Sequence, residues 1–112
     1  RQDKKLLSKE YAYQALKDQK IELLHQLVAE LEQEITNEEL YKQRHQLYRK
    51  ILLPQAKQQE KASLLAYQSN KGNFSDVMRA YINNLNAHLD ERRIAVDHLQ
   101  TNTRILYLLG EK

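Results

Sequence analysis

Glu22 and His25, in "IELLHQ", have the Glu-x-x-His spacing with which a helix can offer a carboxylate and an imidazole to one metal ion. A di-iron bundle needs that pair twice, plus two further glutamates from facing helices, and the sequence holds no second copy. His25, His45, His88 and His98 show no metal-ligand spacing on one helix face, so each reads as a surface histidine and no metal is expected. Zero cysteines remove thiolate ligands, thiol nucleophiles and disulfides together. No glycine-rich phosphate loop is present, and no serine stands in a pattern with a base. The chain is therefore not expected to be an enzyme or to hold a cofactor.

What remains is a cluster of polar residues around one of only two glycines, in "YQSNKGNFSDVMRAY". Asn70 and Gly72 are residues that readily accept positive φ, and Asn73 with Asp76 three residues later fits the start of a new helix. The spacing predicts a tight turn over 70–73. Asp76 serves there as a helix-start residue favoured by the helix dipole, and it stands one turn from Arg79 with which it could pair. Lys71 and Arg79 are either solvated cations or partner contacts. Tyr67 and Phe74 flank the turn, either closing the end of the hairpin or meeting a partner.

The elements that carry this turn follow from composition. The 112 residues contain one proline and two glycines, too little turn material for a series of hairpin-linked strands. Few turns mean few, long helices. Hydrophobic residues make up 41% and charged residues 29%, which permits an ordered chain, while 7% aromatics without Trp point to thin, elongated packing. The net charge of +3 comes from basic residues interleaved with acidic ones, not from a basic stripe of the kind nucleic acid selects. No apolar run reaches the roughly 18 residues of a membrane-spanning helix.

Apolar rhythm then places the helices. Met78, Ile82, Leu85, Leu89, Val96, Leu99 and Leu106 recur at gaps of three and four, interrupted by Arg92 and Thr103, as in a coiled-coil seam. Before the turn a stripe runs through Leu16, Leu24, Leu27, Leu31 and Ile35 and resumes with displaced phase through Leu40, Leu47 and Ile51. Tyr41 and Tyr48, one heptad apart, are expected to pack between helices. Pro54 removes a backbone donor and should kink or divide the first arm; Gly110 should end the last helix. The expected fold is all-α, a single region over 1–112: a descending arm over about 3–69, broken between Leu53 and Gln55, the turn, and a returning arm over about 74–109.

The two arms differ in length. At 1.5 Å per residue the returning arm is roughly 50 Å long and the descending arm roughly 100 Å, so the first half of the long arm lacks an intrachain partner. A fold-back at "ITNEE", with Thr36 and Glu39 as a capping box, would turn the hairpin into a three-helix bundle and is the alternative architecture.

The stretch "LLPQAKQQEKASLLAYQSNKGNFSDVMRAYINNL", with "ILYLLGE" after it, resembles the carboxy-terminal part of the TolC-like outer-membrane efflux proteins, most of all the branch serving heavy-metal cation pumps. Leu53-Pro54-Gln55-Ala56, Tyr67, Asp76-Val77-Met78 and Leu106 to Gly110 stand in the family's order and spacing, over about residues 40 to 110. The family's usual tip glycine falls on Asn70, and Arg79 stands where some relatives carry a second tip aspartate after the one matched by Asp76.

The resemblance implies a fragment of a larger outer-membrane efflux protein, a homotrimer whose helices form a periplasmic tunnel continued by a β-barrel. It implies that Asn70, Lys71, Gly72, Asn73 and Phe74 form the tip that docks the periplasmic adaptor of an inner-membrane pump, with Asp76 and Arg79 near the entrance. The strands of the barrel are absent from these residues, so membrane contact would come only through that missing part. The alternative function is a stand-alone soluble coiled-coil scaffold.

Overall fold

The structure, a computed structural model, describes residues 2–110. Helix α1 spans Gln2–Leu47, a single π turn follows at Tyr48–Leu52, α2 spans Leu53–Gln68, and α3 spans Phe74–Leu108. The first three are one continuous rod. No glycine or proline interrupts the chain before Pro54, and Leu, Gln, Glu, Lys and Ala, all good helix formers, dominate it. The fold-back at "ITNEE" does not occur, since the backbone stays helical there and the Thr36 hydroxyl donates to the Glu32 carbonyl at 3.0 Å, within the helix.

Pro54 bends this arm less than its chemistry led us to expect. It lies at the start of α2, with Leu52 and Leu53 both in right-handed helical conformation, so the expected division between Leu53 and Gln55 is absent. The irregularity sits one turn earlier. Proline has no N–H and its ring crowds the carbonyl four residues back; widening the preceding turn relieves this, and the Leu53 N–H reaches the Tyr48 carbonyl, five residues back. A straight helix from Gln2 to Gln68 would be about 100 Å long. The molecule's longest dimension is 99 Å, against 23 and 18 Å across, so the rod runs nearly straight through the proline.

At the far end the chain reverses within five residues. Asn70 has φ 59°, the left-handed position that closes a helix in a Schellman turn: the Lys71 N–H donates to the Ala66 carbonyl at 2.8 Å and the Asn70 N–H to Tyr67 at 3.1 Å. Asn73 then caps α3, its side-chain oxygen accepting the Asp76 N–H at 2.8 Å. Gly110, with φ 78°, ends α3 in the left-handed conformation, its N–H donating to the Tyr107 carbonyl at 3.0 Å, as the sequence suggests.

α3 packs antiparallel against the rod from Leu31 to the tip. Its covered face bears Val77, Ala80, Asn84, Ala87, Glu91, Ile94, His98, Thr101, Ile105 and Leu108. On the rod the matching face bears Leu31, Glu34, Glu38, Tyr41, His45, Tyr48, Leu52, Ala56, Glu60, Ser63 and Ala66. Among the described residues only Ala80 and Thr101 are buried. Two helices in contact along one edge can cover little more than that edge, and small side chains let the backbones approach closely.

Every one of residues 2–30 is exposed. At about 100° per residue, Leu6, Tyr13, Leu16, Leu24 and Leu27 point within about 60° of the line that packs α3 further along. The seam therefore continues past the end of α3 as an open apolar stripe.

Candidate functional site

The tip residues expected to work together are brought together. Asn70 supplies the left-handed turn, Lys71 its second closing bond, Asn73 the cap of α3, and Phe74 stacks edge-on against Tyr67 with ring centroids 5.8 Å apart. That stack joins the last turn of α2 to the first of α3, the closing role open to this pair in the sequence. Gly72 suits its place for a different reason from the one its sequence position suggests. Its φ is not positive; instead a Cβ there would sit 3.1 Å from the Ala66 Cβ, so glycine permits the chain to lie against α2.

Asp76 and Arg79 line one open groove, of about 810 Å³, which runs between the arms just above the tip. Ala62, Ala66, Gly72 and Ala80 line it with them, as do Gln55, Gln58 and Gln59. Among the described residues no ion pair joins Asp76 to Arg79, so the pairing suggested by their spacing is not made. Asp76 meets the cap instead, its backbone N–H bound and its carboxylate near the positive end of the α3 dipole.

Two histidines depart from their expected surface roles. His45 and His98 are half-buried in the seam, where His45 Nε2 lies 2.6 Å from Glu91 Oε1 and His98 Nε2 lies 3.0 Å from Glu38 Oε1. A carboxylate only accepts, so in each pair the imidazole N–H donates across the arms. The pairs are reciprocal: the rod supplies Glu38 and, seven residues on, His45; α3 supplies Glu91 and, seven residues on, His98. Arg104 adds a looser contact to Glu34 at 3.8 Å, and nearer the tip the Asn84 amide donates to Glu60. His25 and His88 are exposed. Among the described residues, no three of His, Asp and Glu gather in a way that could hold a metal ion.

The apolar stripe of α3 lies on its far side. Met78, Ile82, Leu85, Leu89, Val96, Leu99 and Leu106 are all exposed, Leu99 by 67% and Leu89 by 57%. At about 100° per residue their mean direction is about 160° from that of the seam, so the stripe faces away from the rod. Leu40 and Leu47 on α1 likewise point away from α3 and are exposed. This corrects the expectation that the conspicuous periodicity marks the hairpin's own interface. Each arm bears apolar residues on two faces, and α3 meets the rod with the less apolar of its two.

Among the described residues no helix is long and apolar enough to cross a membrane. Against family models, curated proteins and solved structures, the chain has no match in any of the three comparisons.

Proposed function

We propose that this hairpin is one stave of a helical wall: the periplasmic tunnel segment of a trimeric TolC-like outer-membrane efflux channel. Its tip docks the periplasmic adaptor of a tripartite pump, in the branch that exports heavy-metal cations. The observation that carries this reading is the pair of packing faces on α3, about 160° apart around the helix. In a compact four-helix bundle a helix meets its two neighbours at roughly 90°; an angle of about 160° suits a ring of a dozen or more helices. A helix with apolar residues on the side opposite its partner expects a neighbour there, because exposed stripes of this length are unfavourable in water and mark interaction surfaces. The resemblance of residues 40 to 110 to the efflux proteins supports the same architecture.

On this reading the unpaired half of α1 is covered by the remainder of the channel. Asn70, Lys71, Gly72, Asn73 and Phe74 meet the adaptor, and Asp76 and Arg79 lie beside the entrance. The hairpin itself is passive, a conduit wall and a docking end, with energy supplied by the inner-membrane pump.

The test uses the whole channel in cells. Leu89→Cys, on the outward face of α3, is expected to form intermolecular or inter-hairpin cross-links with cysteines placed on neighbouring staves, and Ser63→Cys, in the seam, is not. Asn70→Pro, which cannot adopt φ 59°, is expected to abolish metal export while the barrel still reaches the outer membrane. Full export by that variant would sink the docking role, and absence of any Leu89 cross-link would sink the wall.

A further inference from the structure

We propose that the hairpin is a two-part lever, locked above the π turn and slack below it, with Tyr48–Leu52 as the hinge on which the tip end moves. The seam differs on the two sides of this turn. Above it, between residues 31–48 and 91–108, the half-buried side chains include Leu31, Tyr41, Tyr48, Ile94 and Ile105, together with fully buried Thr101. Three polar contacts cross the arms there: Glu38 with His98, His45 with Glu91, and Glu34 with Arg104. Each couples the arms at a fixed register, because a shift by one residue would separate both histidine pairs at once.

Below the turn the seam is thinner. Its apolar residues include Leu53, Ala56, Ala66, Val77, Ala80 and Ala87, and among the described residues one side-chain hydrogen bond, from Asn84 to Glu60, crosses it before the Tyr67–Phe74 stack closes its end. Alanines bury little apolar area, so this section is held by less than the section above. Open grooves lie on both sides of the turn, about 810 Å³ near the tip and about 470 Å³ beside His45 and His98; a third, of about 360 Å³, is lined by Tyr48, Leu52, Gln55, Ala56, Ala87 and Asp90, where the π turn faces α3.

The backbone weakens at the same boundary. In the π turn the Leu53 N–H reaches five residues back, and Pro54 next to it donates nothing, so the rod crosses this point with fewer well-formed helical bonds than elsewhere. α3 passes opposite without proline or glycine and acts as the leaf that flexes. The weak point of one arm thus coincides with the change from a locked to a slack seam. This inference is independent of the tunnel reading.

The experiment measures the 112-residue chain itself. Amide hydrogen exchange is expected to be at least tenfold faster in Leu53–Gln68 and Val77–Asp90 than in Leu31–Leu47 and Glu91–Leu108. Spin labels at Gln59→Cys and Asn83→Cys should give a broader distance distribution than labels at Lys42→Cys and Arg93→Cys. Pro54→Ala, which restores a donor, should narrow the lower distribution toward the upper one and slow exchange around the π turn severalfold. Uniform exchange along both arms, or equal widths for the two label pairs, would overturn the lever. A broad lower distribution unchanged by Pro54→Ala would overturn the π turn as its hinge.

Discussion

The two faces of α3 carry opposite compositions. The face against the rod is alanine, asparagine, glutamate, histidine and threonine with a few aliphatics, and the face toward solvent is Met78, Ile82, Leu85, Leu89, Val96, Leu99 and Leu106. A helix that met only one neighbour would bury its apolar face there, since removing about 25 cal/mol per Å² from water is the largest gain open to it. The reversal means that the hairpin contact exploits close approach and polar register, and that the greater apolar area of α3 is left exposed. On the proposed function, hairpin formation and assembly belong to different faces, and substitutions should separate them.

The seam should be the intolerant face. Ala80 is 4% exposed at a point where the arms approach closely, so Ala80→Leu overpacks the contact and is expected to cost about 1–3 kcal/mol. Thermal unfolding followed by circular dichroism would register this as a lower midpoint. A midpoint unchanged or raised by Ala80→Leu would mean that the seam below the π turn has room to spare and that the comparison between faces is drawn too sharply.

Next in size is the reciprocal pair. Replacing His45 with alanine leaves Glu91, 20% exposed, without its donor, and His98→Ala does the same to Glu38, 29% exposed. Each is expected to destabilise by about 1 kcal/mol, somewhat less for the more exposed Glu38. The double substitution His45→Ala with Glu91→Ala should recover part of the loss, because the stranded carboxylate is gone. A double variant no better than His45→Ala alone would show that the ring's packing, not its hydrogen bond, is what the seam uses.

These histidines also show where sequence reading stops. The long helices, the turn at 70–73, the Asn73 cap and the Gly110 terminus were legible because each depends on local chemistry: helix propensity, a left-handed residue, a side-chain acceptor three residues before an N–H. The pairing face was not legible. Periodicity reports the most apolar stripe, and here that stripe faces outward, while His45, His98, Glu38 and Glu91 look like any surface residues until the antiparallel register is known. A signal was present in principle: Glu then His seven residues later, once in each arm, which an antiparallel alignment turns into two complementary pairs. The π turn before Pro54 was not legible for a related reason, since it is a cooperative adjustment of several residues that no single residue type announces.

The tip is a smaller test of the same division. Asn70 holds φ 59° without glycine's freedom, so Asn70→Gly should leave the turn intact and change stability by only a few tenths of a kcal/mol in either direction. Gly72→Ala at the neighbouring position brings a Cβ to 3.1 Å from Ala66 and should lower stability, by up to about 1 kcal/mol. If Gly72→Ala proved neutral, the chain would be free to lift away from α2 and the tip's shape would be set by Asn70 and Asn73 alone.

The smallest effect on folding is expected where the side chains are largest. Leu89→Ser with Leu99→Ser removes two of the most apolar residues of α3, and in a residue that packed inside a fold such a change would cost several kcal/mol. Both already face water, at 57% and 67% exposure, so the unfolding midpoint of the dilute chain should move by no more than about 0.5 kcal/mol equivalent. Association is where the loss should appear: sedimentation at rising concentration is expected to show the unsubstituted chain self-associating through its stripes and the double serine variant remaining monomeric to higher concentration. A large fall in midpoint at low concentration would mean that the stripe is covered within one chain, and the assignment of folding to one face and assembly to the other would be lost.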